Sequence, residues 1–107
     1  MRSAHIAGQI RQVIDHVVAL THPTRIILFG SAATGRLEPD SDLGFLVIVP
    51  EDEKIEAATD RLNMEVRNRP RPCDFLVVTQ AILDRNRDNP GLMYGEILET
   101  GKEVYAA

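Results

Sequence analysis

Three short apolar runs set most of what this chain can become: Arg25 to Phe29, Leu43 to Val49 and Cys73 to Thr79. Each is bounded by Gly, Pro or polar residues and reads as a buried strand. The connectors between them differ in kind. Residues Ser31 to Ser41 are rich in small residues, Gly and Pro, which predicts a turn, at most one short helix, and then a loop. A connection that short allows the first two strands to run antiparallel. Between the second and third runs, Ile55, Ala58, Leu62 and Val66 recur at helical spacing, and a helical crossover allows parallel pairing. The end of the first strand and the starts of the other two then lie along the same edge of one sheet.

The remaining elements follow from periodicity and punctuation. Ile6, Ile10, Val13, Ile14, Val17 and Val18 predict an amphipathic helix from about Ser3 to Leu20, ended by His22 and Pro23. Glu51, Asp52 and Glu53 stand at the expected start of the crossover helix, where the macrodipole favours acids. Thr79 is placed to cap a helix running through Arg87. Pro90 to Thr100 reads as another helix, with Gly101 just past its end in a left-handed position. The order closes on two helices, with no strand after Thr79. The expectation is a single domain over residues 1–107 of the α/β (α+β) class, a small mixed sheet flanked by helices.

Composition narrows the partners. A net charge of −4 weighs against a general nucleic-acid binder, which usually carries a basic face, but leaves room for a small phosphate-bearing ligand at a local site. The single cysteine, Cys73, excludes an internal disulfide framework and fits a reducing compartment; its place in an apolar run makes it a packing residue. With no Trp, the core must be built mainly from Ile, Leu and Val. No apolar stretch approaches membrane-spanning length and no signal-peptide run opens the chain, so a soluble, cytoplasmic protein is expected.

The shared edge collects residues suited to phosphate and metal. Gly30 and Ser31 follow a strand directly, where exposed backbone N–H groups and the Ser31 hydroxyl suit phosphate oxygens. Gly35 removes a side chain where a ligand could approach the backbone. Asp42 and Asp74 each place a carboxylate at the mouth of a strand. Taken alone, Gly30-Ser31-Ala32 is an ordinary tight turn and Asp74 a hydrogen-bonded structural acid. Together with Asp42 the set favours a phosphate cradle.

Phe29-Gly30-Ser31, ten further residues and then Asp42 resembles the signature of the polymerase-β-type nucleotidyltransferase superfamily. The run from Phe29 to Leu43 is closest to its minimal branch, often found as antitoxins beside helical toxins. Cys73-Asp74-Phe75-Leu76-Val77 matches the segment carrying that branch's third acid, and Glu99 to Tyr105 resembles its usual ending. The similarity spans roughly residues 5 to 105. It implies the polymerase-β-like fold and Mg²⁺-dependent transfer of a nucleotidyl group, AMP from ATP or another NTP, to a partner protein or small acceptor. On that pattern Asp42 and Asp74 are catalytic and hold metal in a two-ion site, while Gly30, Ser31, Gly35 and Arg36 bind the nucleotide. A helical toxin is the implied protein partner.

Two positions depart from the pattern. The family's first acid pair is Asp-x-Asp on one strand, whose period of two points both carboxylates at the same metals. Here the run is Asp42-Leu43-Gly44-Phe45, so the second acid is replaced by Gly44. Thr34 stands where many relatives carry Arg before the glycine, with Arg36 as a partial substitute. Losing one anionic ligand costs several kcal/mol of transition-state stabilisation, so reduced activity is expected. The alternative is a catalytically inactive module of the same fold that binds a toxin partner and a nucleotide. Asp40, two residues before Asp42, is a minor candidate to replace the lost acid. Arg67, Arg69 and Arg71 read chiefly as a solvated run, His5, His16 and His22 lack metal-ligand spacing, and Tyr94 and Tyr105 read as packing residues.

Overall fold

The computed structural model describes residues 2–35, 42–68 and 72–107. Among them, the chain order is α1 (Arg2–Thr21), β1 (Arg25–Phe29), β2 (Leu43–Val49), α2 (Ile55–Glu65), β3 (Cys73–Thr79), α3 (Gln80–Asn86), α4 (Tyr94–Thr100) and β4 (Lys102–Ala106). The strands form one mixed sheet in the order β3-β2-β1-β4. β1 runs antiparallel to β2, β2 parallel to β3, and β4 antiparallel to β1. The three expected strands and the directions of their pairings match the sequence reading.

β2 is the central strand, and its composition says why. All seven residues of Leu-Gly-Phe-Leu-Val-Ile-Val are buried, as expected of a strand covered on both faces, where apolar residues run on without alternation. On one face Ile26, Leu28, Phe45 and Val47 pack with Val13 and Val17 of α1 and with Ala58 and Leu62 of α2. Phe45 and Phe75, paired across β2 and β3, stack there with ring centroids 5.8 Å apart. On the other face Ile27, Leu46, Ile48 and Val78 pack with Leu83 of α3 and Ile97 of α4. Cys73 is buried at the first position of β3, as a packing residue should be.

Helix ends depart from the sequence reading in instructive ways. α1 ends where His22 takes a positive φ of 46° and its N–H donates to Val18 O at 3.0 Å. α2 begins only at Ile55, after Lys54 at its N-cap. Glu53 pairs with Arg61 at 2.6 Å, while Glu51 reaches across to accept from Ala81 N, at the start of α3, at 3.0 Å. Thr79 caps α3 by accepting from Ile82 N at 3.3 Å. α4 begins at Tyr94 rather than Pro90, since Asn89 turns the chain first: its side-chain oxygen accepts from Gly91 N at 3.0 Å and its carbonyl from Leu92 N at 3.1 Å. Asn side chains compete with helix formation in this way.

Gly101 is extended, at φ −75° and ψ 167°, not left-handed. Its glycine is required by space instead. A Cβ there would lie 2.5 Å from Ile97 O, 2.7 Å from Ile27 Cγ2 and 3.0 Å from Leu28 O. This close approach lets the chain leave α4 and run directly into β4, the strand the sequence reading lacked. β4 carries an irregularity opposite Ile26 and Ile27 that skips one residue. The extra residue lets Val104 and Tyr105, neighbours in sequence, both pack toward the α1–α2 face. Without clean alternation the segment gives no strand period to read.

Candidate functional site

The site is built at one end of the sheet, from the finish of β1 and the starts of β2 and β3. Phe29 pairs with Gly44, and Gly44 pairs with Asp74, so the three residues form one row across three strands. Residues in such a row project from the same face. Here it is the α3–α4 face, since Ile27, Leu46 and Val78 continue the same three columns. Asp42 stands immediately before β2 and two positions from Gly44, at the same edge of the sheet. Asp42 and Asp74 are both exposed. Leu43 N donates to Pro72 O at 3.0 Å and Cys73 N to Arg67 O at 2.6 Å, tying together the segments that present the two acids.

Gly30 follows β1 with φ +84°, a value open to glycine at little cost, and redirects the chain away from the sheet. Residues 31–35 form a turn rather than a helix. Ala33 N donates to Gly30 O at 3.1 Å and the Thr34 hydroxyl donates to Ser31 O at 3.2 Å. Gly35 has φ +78° and closes the turn. Ser31 is half-buried and lies at the head of the turn, one residue past the glycine. Arg36 and Asp40 lie outside the described residues, as do Arg69 and Arg71.

The position of the absent acid is not empty space. A Cβ built on Gly44 would lie 2.6 Å from Phe29 Cε2 and 2.9 Å from both Cδ2 and Cζ. The ring edge of Phe29 thus covers the point from which any side chain at 44 would emerge. β2 is continuous through Gly44 in both of its pairings, so the glycine marks no bulge. Phe29 is the residue sequence reasoning missed. It opens the Phe29-Gly30-Ser31 motif, but only the cross-strand register reveals what it rests on.

The donor set decides which metal arrangement these residues fit. Among the described residues, no group of three or more His, Cys, Asp and Glu is gathered closely enough to hold an ion. Two carboxylates, Asp42 and Asp74, remain at the edge. Mg²⁺ commonly takes one or two carboxylates and completes its shell with water and substrate phosphate oxygens. Two carboxylates at one edge match the share that protein side chains commonly give such an ion.

Two hollows lie at different distances from these residues. A cavity of about 260 Å³ adjoins the Gly30 turn and is lined by Phe29, Gly30, Thr34, Met93, Glu96, Ile97 and Thr100. A larger depression of about 860 Å³ lies at the opposite end of β2 and β3 and is lined by Glu51, Glu53, Glu56 and Asp60 among others. Size favours the second, whose lining mixes these carboxylates with Lys54 and Arg85, but it is remote from Asp42 and Asp74. None of the helices among the described residues is long and apolar enough to cross a membrane.

A family model described as a nucleotidyltransferase domain matches residues 10–94, which takes in β1, the turn, β2, α2, β3 and α3. No curated protein and no solved structure matches the chain.

Proposed function

Since this chain belongs to the nucleotidyltransferase domain family, we propose that it binds a nucleoside triphosphate as its magnesium complex at the β1–β2–β3 edge and transfers the nucleotidyl group slowly. The group transferred is AMP when ATP is the donor: the hydroxyl oxygen of a partner protein or small acceptor bonds to the α-phosphorus, the α–β anhydride bond breaks, and pyrophosphate and the hydroxyl proton leave. The row Phe29–Gly44–Asp74, with Asp42 beside it, is the observation that carries the reading. Asp42 and Asp74 would hold the ion. When bound, magnesium screens the triphosphate and lowers the pKa of an attacking hydroxyl.

The chain's own groups do the rest. Backbone N–H groups of the Gly30–Gly35 turn and the Ser31 hydroxyl donate to phosphate oxygens, and Arg36, next in sequence, supplies a cation. The Asp42 and Asp74 carboxylates repel an uncomplexed triphosphate, so binding requires the divalent ion. With Gly44 in place of an acid, several kcal/mol of transition-state stabilisation are lost, and the rate falls on the order of a hundredfold or more below that of a complete acid set. A soluble, cytoplasmic antitoxin-like role fits this reading, with a helical toxin delivering the acceptor group to the open edge.

A second reading has its own support. Phe29 fills the space above Gly44, so the edge is organised around a ring rather than awaiting a carboxylate. On this reading the chain is an inactive module that binds nucleotide and partner without transfer. Labelled ATP, Mg²⁺ and the neighbouring gene's product separate the two. Transfer by the natural chain that Asp42→Ala abolishes supports the enzyme. Mg-ATP binding with no transfer, and transfer gained only by Gly44→Asp combined with Phe29→Ala, supports the module. Absence of both binding and transfer removes the site.

A further inference from the structure

The geometry points to the cavity beside the Gly30 turn as a subsite for an amino-bearing nucleobase, read by rim side chains that only accept hydrogen bonds. The inference rests on the phosphate-binding reading of the same edge. It adds where the base lies and what selects it.

The walls are apolar and the rim is one-sided. Phe29, Met93 and Ile97 supply ring, thioether and branched aliphatic surface, a set suited to the face of a planar ring. Met93 is 49% exposed although it lines the cavity, which leaves apolar surface uncovered at its mouth. The polar rim consists of Thr34, Glu96 and Thr100. Thr34 spends its hydroxyl proton on Ser31 O at 3.2 Å, and Thr100 spends its own on Glu96 O at 2.9 Å. Each hydroxyl then offers the cavity only lone pairs. Glu96, as a carboxylate, also only accepts. A phosphate or carboxylate group finds no donor side chain here, and a ring carrying an amino group finds up to three acceptors.

The cavity is also continuous with the phosphate turn. Phe29 and Gly30 line it and begin the turn that follows β1. A ligand whose phosphates lie along that turn can therefore place its base in the cavity without crossing the sheet. Phe29 serves both features: one ring edge rests over Gly44, and the ring also walls the cavity. Glycine at 44 is what lets the ring lie so low.

Calorimetry with Mg²⁺ present would compare ATP, inosine triphosphate and inorganic tripolyphosphate on the natural chain, Met93→Ala and Glu96→Gln. Met93 is chosen because its truncation removes cavity wall without disturbing Gly44. ATP should bind at least about tenfold more tightly than tripolyphosphate, and Met93→Ala should remove most of that advantage while leaving tripolyphosphate unchanged. Inosine triphosphate, with a carbonyl in place of the amino group, should bind about tenfold more weakly than ATP, because its oxygen would face acceptors. Glu96→Gln, which adds a donor, should narrow that gap. Equal affinity for ATP and tripolyphosphate would overturn the base subsite and leave the phosphate edge standing, as would equal losses for both on Met93→Ala. Failure of all three ligands to bind would remove both.

Discussion

Adding one methyl group at Gly44 tests the organisation of the edge most directly. In Gly44→Ala the new Cβ would meet Phe29 Cε2 at 2.6 Å and two further ring atoms at 2.9 Å, closer than packed carbons approach. The backbone cannot yield, because Gly44 is held between β1 and β3 in the middle of the sheet. The ring must move, leaving its place beside Ile27 and Leu46. Overpacking of this kind costs roughly 1–3 kcal/mol. Exchanging glycine for alanine within a strand returns roughly 0.5–1 kcal/mol through backbone entropy. The net loss should be about 1 kcal/mol and at most about 2.5 kcal/mol, and each kcal/mol lost lowers Tm by roughly 4–8 °C in a domain of this size. Thermal and urea unfolding of four proteins would measure it: the natural chain, Gly44→Ala, Phe29→Ala and the double variant. Removing the ring removes the collision, so the double variant should be more stable than the sum of the single changes by about 1 kcal/mol or more. Additive effects within about 0.5 kcal/mol would refute the contact and the account of Gly44 built on it.

Three further outcomes follow from the same geometry. Asp42→Asn and Asp74→Asn should each change unfolding free energy by no more than about 0.5 kcal/mol, since both side chains are exposed, yet each should abolish Mg²⁺-dependent ATP binding in a titration. Gly101→Ala should cost about 3 kcal/mol in chemical denaturation, because two of the three atoms it would strike are backbone carbonyl oxygens that cannot rotate away. Thr79→Ala should cost about 1 kcal/mol through loss of the cap on α3, detectable by urea unfolding.

What the sequence disclosed depended on whether a signal was local. β1, β2 and β3 declare themselves because each is an unbroken apolar run ended by Gly, Pro or a capping residue. Connector type then settled parallel against antiparallel. Glu51 misled, because it serves α3, thirty residues on, rather than the nearer helix. Asn89 delayed α4 through a side-chain bond that helical periodicity does not register. β4 stayed hidden because its pairing irregularity erases the alternation that marks a strand. In the candidate site, Gly30, Ser31, Asp42 and Asp74 stand out by spacing. The contact of Phe29 with Gly44 does not, because it exists only once two strands fifteen positions apart are set side by side.

Asp74 also has work to do before any ligand arrives. In β3 it is flanked by Cys73 and Phe75, which point into the α1–α2 core while it points to the opposite face. Sliding β3 by a single residue against β2 would invert that arrangement, driving an ionised carboxylate among Phe45, Leu62 and Val13 and turning Cys73 toward water. A charge stranded in such surroundings is costly enough to make the misaligned sheet uncompetitive. The acid therefore polices strand alignment during folding, and replacing it with a neutral apolar residue would loosen that control even in a chain with no catalysis left to lose.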